Sequence, residues 1–328
     1  MDTAGYRPPR WLRDPHLQSV LSSSALRRRR GRRRLAAAGA TTVEHVLDCG
    51  EARLQGFHSH RPGRDPAGLA VLLHGWEGSA ESGYMLHTAA RLLEAGFDVF
   101  RLNFRDHGAT HHLNQEIFHS CRLDEVVAAV GQVADRIAQG PVHVAGHSLG
   151  GNFALRTGLH GPARGVRVAG VAAVCPVVNP AVGLAAMERS LWIYQSYFLL
   201  KWRRSLRRKR HLFPDLHGFD DRVLRQDMRG LTAWLVERYT DFGSLEAYLD
   251  GYSIAGDRLA GLQVPTAILT AADDPVIPVD CFRALSLPAQ AQLHISEHGG
   301  HCGFIEDLRL DGFSERWIAR QLAGGGRS

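Results

Sequence analysis

The stretch "VHVAGHSLGGN", residues 142–152, decides the fold. Its middle matches G-x-S-x-G, with a strand-like segment (142–146) before it and a helix-like segment (149–161) after it. The pattern needs glycines because a tight strand-to-helix turn leaves no room for side chains beside the serine. Such a turn lifts the Ser148 hydroxyl above the sheet and places the Leu149 amide at a helix N-terminus, where negative charge is favoured. The motif therefore predicts a nucleophilic serine; the alternative is a Gly/Ser turn without chemistry.

Strand-like and helix-like segments alternate along most of the chain. An apolar period typical of an amphipathic helix runs from Leu123 to Ile137, and a closing helix is predicted near 313–322. Other runs have the continuous apolar character of buried parallel strands, namely 68–75, 98–104, 142–146, 168–177, 265–272 and 291–296. The alternation predicts an α/β architecture, a mostly parallel sheet with helices on both faces. With the serine turn, it predicts an α/β-hydrolase fold.

This alternation stops between Asn179 and Gln263, where the chain is helix-rich, aromatic and charged. Such a length is too great for a simple connection between strands. We therefore expect an inserted helical cap at 179–262, which divides the catalytic domain into 41–178 and 263–328. Residues 1–40 are expected to form an Arg-rich N-terminal extension.

A catalytic serine needs a base, and the base needs an acid that orients it. In this fold the acid and the histidine follow the serine in that order, each after a later strand. Asp273 and Asp274 follow one such strand, and their side chains should point in opposite directions. We assign Asp274 as the acid and Asp273 as a cap of the loop. His301, after two glycines that let its loop fold closely, is the predicted base, and His298 is the alternative.

The oxyanion of an acyl-transfer reaction also needs donors. The loop after the first long buried strand supplies one of them in this fold. In "LLHGWEG" (72–78) that donor is predicted to be the backbone amide of Trp76, acting together with the amide of Leu149. The Trp76 indole is then expected to line the acyl pocket; alternatively, it only packs.

No cofactor and no metal site are expected. Four histidines are close in sequence, namely His107, His111, His112 and His119. No H-x-x-x-H or H-E-x-x-H pattern, which would place two metal ligands on one face, lies on a predicted helix. Neither G-x-G-x-x-G nor G-x-x-x-x-G-K-[ST] occurs, so no dinucleotide or nucleotide site is indicated.

Several motifs together resemble the YheT-like branch of the α/β-hydrolases, which is related to eukaryotic α/β-hydrolase-domain lipid hydrolases. They are "WLRDPHLQS" (11–19), "HGWEGSAESGY" (74–84), "RLNFRDHG" (101–108), "HLNQEIFHSCRLDEVV" (112–127), "GHSLGGN" (146–152), "DDPVIP" (273–278) and "GGHCGF" (299–304). The resemblance implies that Ser148 is the nucleophile, Asp274 the acid and His301 the base, with a helical cap before the aspartate strand. Trp76 departs from the aliphatic residue that the branch usually has there.

The predicted function is therefore that of a serine carboxylic-ester hydrolase, which forms an acyl-enzyme with short- to medium-chain acyl or lipid esters. The alternative is a non-enzymatic binding protein of the same fold. Such proteins usually lose a member of the triad, whereas this sequence retains all three. The sequence contains no sign of an oligomeric state.

Two basic segments stand out against an acidic body. The net charge is +6, and removing the fourteen positive charges of Arg27–Arg34 and Lys201–Arg210 leaves −8. That balance argues against nucleic acid as a partner. The five scattered cysteines fit a reducing cytoplasm.

The second basic segment follows an aromatic stripe on a predicted helix over 191–210. We expect its first half to be buried and its second half to lie on the surface. An aromatic stripe backed by arginines is typical of a helix at an anionic lipid surface. The sequence therefore predicts that this helix makes peripheral contact with the inner face of the membrane. The contact would be made by four arginines, Arg203, Arg204, Arg207 and Arg208. The alternative is a solvated cap helix.

Overall fold

The computed structural model describes residues 3–324. Within this range the strands form one sheet in the order β1-β2-β4-β3-β5-β6-β7-β8. Strands β3 to β8 are parallel, while β2 pairs antiparallel with β1 and with β4. The strands are β1 (Thr41–Asp48), β2 (Arg53–His60), β3 (Leu69–Leu73), β4 (Asp98–Leu102), β5 (Val142–His147), β6 (Gly170–Val174), β7 (Thr266–Ala271) and β8 (Ala291–Ser296). The mostly parallel sheet confirms the predicted fold class, whereas the β1–β2 hairpin was not predicted.

Helices cover both faces of the sheet. Residues of α4 and α5 pack into one apolar core, and residues of α3 and α11 pack into the core on the other face. None of the helices within 3–324 is both long and apolar enough to cross a bilayer. The α-helices are α1 (Pro15–Ser22), α2 (Ala25–Ala37), α3 (Gly83–Glu94), α4 (Leu123–Arg136), α5 (Leu149–His160), α6 (Pro180–Arg189), α7 (Trp192–Leu212), α8 (Met228–Tyr239), α9 (Leu245–Gly251), α10 (Val279–Arg283) and α11 (Phe313–Gly324).

The N-terminal segment differs from the expected extension, because α1 and α2 pack on the catalytic domain. The Leu12 side chain, just before α1, is fully buried. Arg27 of α2 is also buried, where it forms an ion pair with Glu315 of α11 and donates to the Leu310 carbonyl oxygen at 3.2 Å. A buried arginine is tolerated only with such partners. Part of the Arg-rich run is therefore structural.

The inserted segment forms four helices, α6 to α9, between β6 and β7. They share an apolar core, to which Trp202, Leu206, Leu231 and Leu235 contribute and which Ile117 of the catalytic domain joins. A hydrogen bond also joins this segment to the catalytic domain, since the Asn152 side chain donates to the Tyr252 backbone oxygen at 2.8 Å, beside a second bond of the same length to the Val177 oxygen. The cap is thus held over the end of α5 that follows Ser148.

Helix α7 is half-buried along its whole length. In its first half Tyr194 and Leu199 are buried, whereas Trp192 and Leu200 are 75% and 66% exposed. Its second half also packs into the core of the cap, through side chains such as Trp202, and keeps its arginine side exposed. The predicted division into a buried first half and a surface second half was therefore wrong.

Candidate active site

Ser148 stands on a strained turn between β5 and α5, with φ 55° and ψ −120°. Only small residues fit beside it. A Cβ atom at Gly146 would lie 2.1 Å from the Gly150 oxygen, and one at Gly150 would lie 2.2 Å from the Leu73 oxygen. A hydrogen bond from the Ser148 amide to the Val174 oxygen, at 2.9 Å, ties the turn to β6. The turn therefore has the geometry that exposes a serine hydroxyl above a sheet.

The structure brings the three predicted triad side chains together. His301 Nε2 lies 2.9 Å from Ser148 Oγ, and His301 Nδ1 lies 2.9 Å from Asp274 Oδ2. The Asp274 side chain is fully buried, and its Oδ1 accepts hydrogen bonds from the amides of Val276 at 2.8 Å and Ile277 at 3.0 Å. A continuous line of hydrogen bonds thus joins the carboxylate, the imidazole and the hydroxyl.

Asp273 and His298 lie beside this line and form a separate pair. Asp273 Oδ1 accepts from the Gly300 amide at 2.9 Å, and its Oδ2 lies 3.5 Å from His298 Nδ1. Adjacent aspartates therefore point in different directions, as their positions on an extended segment require. Asp273 holds the backbone of the loop that carries His301.

The electrostatic environment of His301 favours its protonated form. Burial by itself would lower the pKa of His301, but the Asp274 carboxylate outweighs burial through its charge and its hydrogen bond. The pKa of His301 is raised to about 9 as a result. An imidazolium formed during a reaction is therefore stabilised at this position.

Two backbone amides next to Ser148 are free to donate. On either side of Trp76 the loop is fixed, because the Gly75 amide donates to Tyr84 at 3.0 Å and the Glu77 amide to His107 Nε2 at 3.2 Å. Among residues 3–324 neither the Trp76 amide nor the Leu149 amide has an acceptor. These are the two amides that the sequence predicts for an oxyanion hole.

Sequence reasoning missed the part that α1 plays in supporting the base. The Ser19 hydroxyl accepts a hydrogen bond from the His301 amide at 2.8 Å. A Cβ at Gly300, where φ is 54°, would lie 2.2 Å from the Pro15 oxygen, so α1 packs directly on the histidine loop. The motif at 11–19 ends on this serine, and that was the one signal that could have linked the N-terminus to the site.

A buried ion pair between the cap and the catalytic domain was also missed. Lys209 Nζ lies 2.7 Å from Asp106 Oδ1 and 2.6 Å from the Asn114 oxygen. Both side chains are almost fully buried. The pair fixes the second half of α7 against the loop that follows β4.

The four histidines that are close in sequence have separate surroundings. His107 faces the Arg105 oxygen and the Glu77 amide, His111 faces Ser205, His112 is exposed, and His119 packs edge-to-face on Tyr248. Within the described residues, one group of three possible ligand atoms lies close together, on Cys175, His301 and Cys302. Both nitrogens of His301 are already used by Asp274 and Ser148, and burial raises the pKa of the Cys175 thiol well above its usual range. A metal ion there would have to displace the hydrogen-bonded line.

An apolar cavity of about 140 Å³ lies between the cap and Ser148. Aliphatic and aromatic side chains from both domains line it, and its lining includes no Lys, Arg, Asp or Glu. Representative lining residues are Trp76, Leu184, Phe198, Leu235, Tyr252 and Ile277. Trp76 stacks on Phe198 with 5.5 Å between the ring centroids, so its indole forms part of the wall.

Comparison with known proteins agrees with this architecture. The sequence model described as "alpha/beta hydrolase fold" matches residues 70–308. The Escherichia coli (strain K12) protein named "Putative esterase YheT" is 26% identical over 268 residues, 77% of this chain and 74% of that protein.

Solved structures share the fold at low sequence identity. The Pyrococcus furiosus esterase Pf2001 is 15% identical with a TM-score of 0.54, over 87% of this chain and 88% of that one. A bacterial membrane phospholipase A is 17% identical with a TM-score of 0.57, over 90% of each chain.

Proposed function

The chain belongs to the α/β-hydrolase fold family, as an esterase-like member of its YheT-like branch, and we propose that it hydrolyses carboxylic esters through an acyl-enzyme on Ser148. The observation that carries this proposal is the line of hydrogen bonds from Asp274 through His301 to Ser148. The alternative hypothesis, a binding protein without activity, gives no reason for these three side chains to meet at such distances.

In the proposed reaction His301 Nε2 takes the Ser148 proton while Oγ attacks the ester carbonyl carbon. The Trp76 and Leu149 amides donate to the resulting oxyanion, and each such donor is worth roughly 3 kcal/mol of barrier. Asp274 keeps the proton of the neutral imidazole on Nδ1 and stabilises the imidazolium. His301 then protonates the leaving alcohol, and a water molecule, activated by the same histidine, hydrolyses the acyl-enzyme.

The apolar cavity supports an aliphatic acyl group as the part of the substrate that it holds. Burial of each methylene group is worth roughly 0.8 kcal/mol, so such a lining rewards a longer chain until the cavity is full. We therefore propose short- to medium-chain acyl or lipid esters as the substrate class. The mechanism calls for no cofactor.

The test is a series of p-nitrophenyl esters from acetate to palmitate, assayed with the wild type and with Leu235→Trp. The wild type should show rising kcat/KM with chain length up to an optimum. The tryptophan should fill part of the cavity and move the optimum to shorter chains, with acetate hydrolysed as before. Absence of turnover for every ester would contradict the proposed function.

We also propose that α7 makes peripheral contact with an anionic membrane surface, at the inner face in a cytoplasmic setting. Trp192 and Leu200 expose apolar surface, and three arginines on the second half of the helix are exposed, namely Arg204, Arg207 and Arg208. Arg203 is half-buried and donates to the Gln226 oxygen at 2.9 Å, so it no longer belongs to this group.

The Arg-rich run of α2 contributes less than its charge suggests. Arg27 is buried, Arg32 lies 2.9 Å from Glu81, and Arg34 is paired with Glu94 and Asp311. Replacing Arg204, Arg207 and Arg208 together with Gln should weaken sedimentation with anionic vesicles, and wild-type binding should fall as salt rises. Arg203→Gln is the matched control. Equal binding by the wild type and the triple variant would contradict the membrane contact.

A further inference from the structure

Ser148 lies where two cavities meet. The apolar cavity is on one side, and a second cavity of about 150 Å³ is on the other. Both are bordered by Trp76, Ser148, Phe198 and His301. The second cavity is formed by the end of α1 with the start of α2, the start of α3 and the first half of α7; its further lining includes Ser22, Arg28, Tyr84, Tyr197 and Lys201.

The two cavities differ in charge. The lining of the second includes two cations, Arg28 and Lys201, and no Asp or Glu. The apolar cavity has neither cations nor carboxylates in its lining. An ester has one arm on each side of its carbonyl group, so a serine between two such cavities would receive an aliphatic arm from one and a polar arm from the other.

Both cations retain capacity to bind an anion. Arg28 is exposed and, unlike its neighbour Arg27, has no carboxylate within ion-pair distance anywhere in residues 3–324. Lys201 Nζ donates to the Glu77 backbone oxygen at 2.7 Å. Its ammonium group has three N–H donors and also lies 4.9 Å from the Tyr197 ring centroid, so at least one donor remains for a ligand.

The Glu77 carboxyl group interacts with the charge of Lys201. Burial raises the pKa of Glu77 to about 8, although Lys201 opposes the rise and Asp106 adds to it. Burial therefore disfavours the charged form of Glu77, which is the form that would compete with a bound anion for Lys201.

Resting on the proposed function, we propose that the second cavity binds the alcohol arm of the ester and that this arm carries an anionic group, a carboxylate or a phosphate, held by Arg28 and Lys201. The acyl arm occupies the apolar cavity. The natural substrate is thus an acyl ester of an anionic alcohol. After acyl transfer, the anionic alcohol leaves through the side of the site where Arg28 is exposed.

The test uses two chromogenic esters that differ only in charge: 4-nitro-3-(octanoyloxy)benzoate and the corresponding neutral benzamide. The measured quantity is the ratio of kcat/KM for the anionic ester to that for the neutral one. The wild type should prefer the anion. Arg28→Gln and Lys201→Gln should each lower the ratio about tenfold, because a hydrogen bond to a charged group is typically worth such a factor. Arg29→Gln removes an exposed arginine that lines neither cavity, and it should leave the ratio unchanged.

A binding measurement separates this proposal from the proposed function. The anionic alcohol, 3-hydroxy-4-nitrobenzoate, should bind to Ser148→Ala in calorimetry and bind more weakly when Arg28→Gln is added. Turnover of both esters at equal rates, with no effect of Arg28 or Lys201 on the ratio, would overturn the anion site and leave the esterase intact. Failure of the alcohol to bind to Ser148→Ala would also overturn the anion site, and this result does not depend on any measurement of turnover. Conversely, Arg28-dependent binding of the alcohol without hydrolysis of either ester would support the site and contradict the esterase.

A lipid headgroup could be the source of the same charge. A monoacylglycerol phosphate in neutral mixed micelles presents the phosphate from a lipid, whereas the soluble benzoate ester presents a free carboxylate. Dependence on Arg28 for both substrates supports a general anion site. Dependence for the soluble ester alone supports a site for a free anionic alcohol rather than for a lipid headgroup.

Discussion

Replacing Asp274 with Asn should cripple turnover by reversing the direction of one hydrogen bond. Asp274 Oδ1 accepts from the amides of Val276 and Ile277, so an asparagine would place its oxygen there and its NH₂ group at the Oδ2 position. That NH₂ group would face His301 Nδ1 at the present 2.9 Å and force Nδ1 to accept. The imidazole proton would then move to Nε2, the atom that must take the proton of Ser148.

The expected loss in kcat is about 10⁴-fold, as in serine proteases with the same change, which corresponds to about 5 kcal/mol of barrier. Asp273→Asn is the matched control, because Asp273 contacts the Gly300 amide and not the imidazole of His301. This substitution should lower kcat by less than tenfold. The assay is the steady-state hydrolysis of p-nitrophenyl butyrate, with circular dichroism as a check on folding. A larger loss from Asp273→Asn than from Asp274→Asn would refute the assignment of the acid.

Three further predictions follow from buried and titrating groups. His301 must be neutral to act as a base, and its pKa is raised to about 9. We therefore expect kcat/KM to fall as the pH falls, with a midpoint above the usual histidine pKa of about 6.5. A midpoint below that value would contradict the influence of Asp274. Lys209→Met should lower the free energy of unfolding, measured in urea, by about 3–5 kcal/mol, since Asp106 would remain buried without its cation. Adding Asp106→Asn should restore part of the loss. Unchanged stability of Lys209→Met would show that the pair contributes nothing. Incubation with EDTA should leave ester hydrolysis unchanged, because no proposed step uses a Lewis acid; a loss reversed by a divalent ion would point to a metal on Cys175, His301 and Cys302.

The sheet and the serine turn could be predicted because local chemistry dictates them. Buried parallel strands require continuous apolar runs, and a serine turn beside a helix requires glycines. These demands appear in the sequence within a few residues of each other, as at Gly146 and Gly150. The β1–β2 hairpin was missed for the opposite reason: β1 is mostly exposed, so it has no apolar run to reveal it.

Features that depend on distant partners could not be predicted. Arg27 appeared to belong to a solvated basic run, because its partner Glu315 is 288 residues away. Lys209 lies near the apolar stripe of α7, but only Asp106, 103 residues earlier, explains why a lysine is buried there. The exposure of Trp192 likewise depends on how far the core of the cap extends, which the helical period alone does not specify.

Covalent labelling of Ser148 tests the central claim most directly. A fluorophosphonate probe reacts with a serine only where a base and an oxyanion hole activate it. The wild type should gain the mass of one phosphonyl group on the tryptic peptide that contains Ser148, and Ser148→Ala should gain none under the same conditions. Labelling of Ser148→Ala at the wild-type rate, or a wild type that stays unlabelled while folded, would contradict the account.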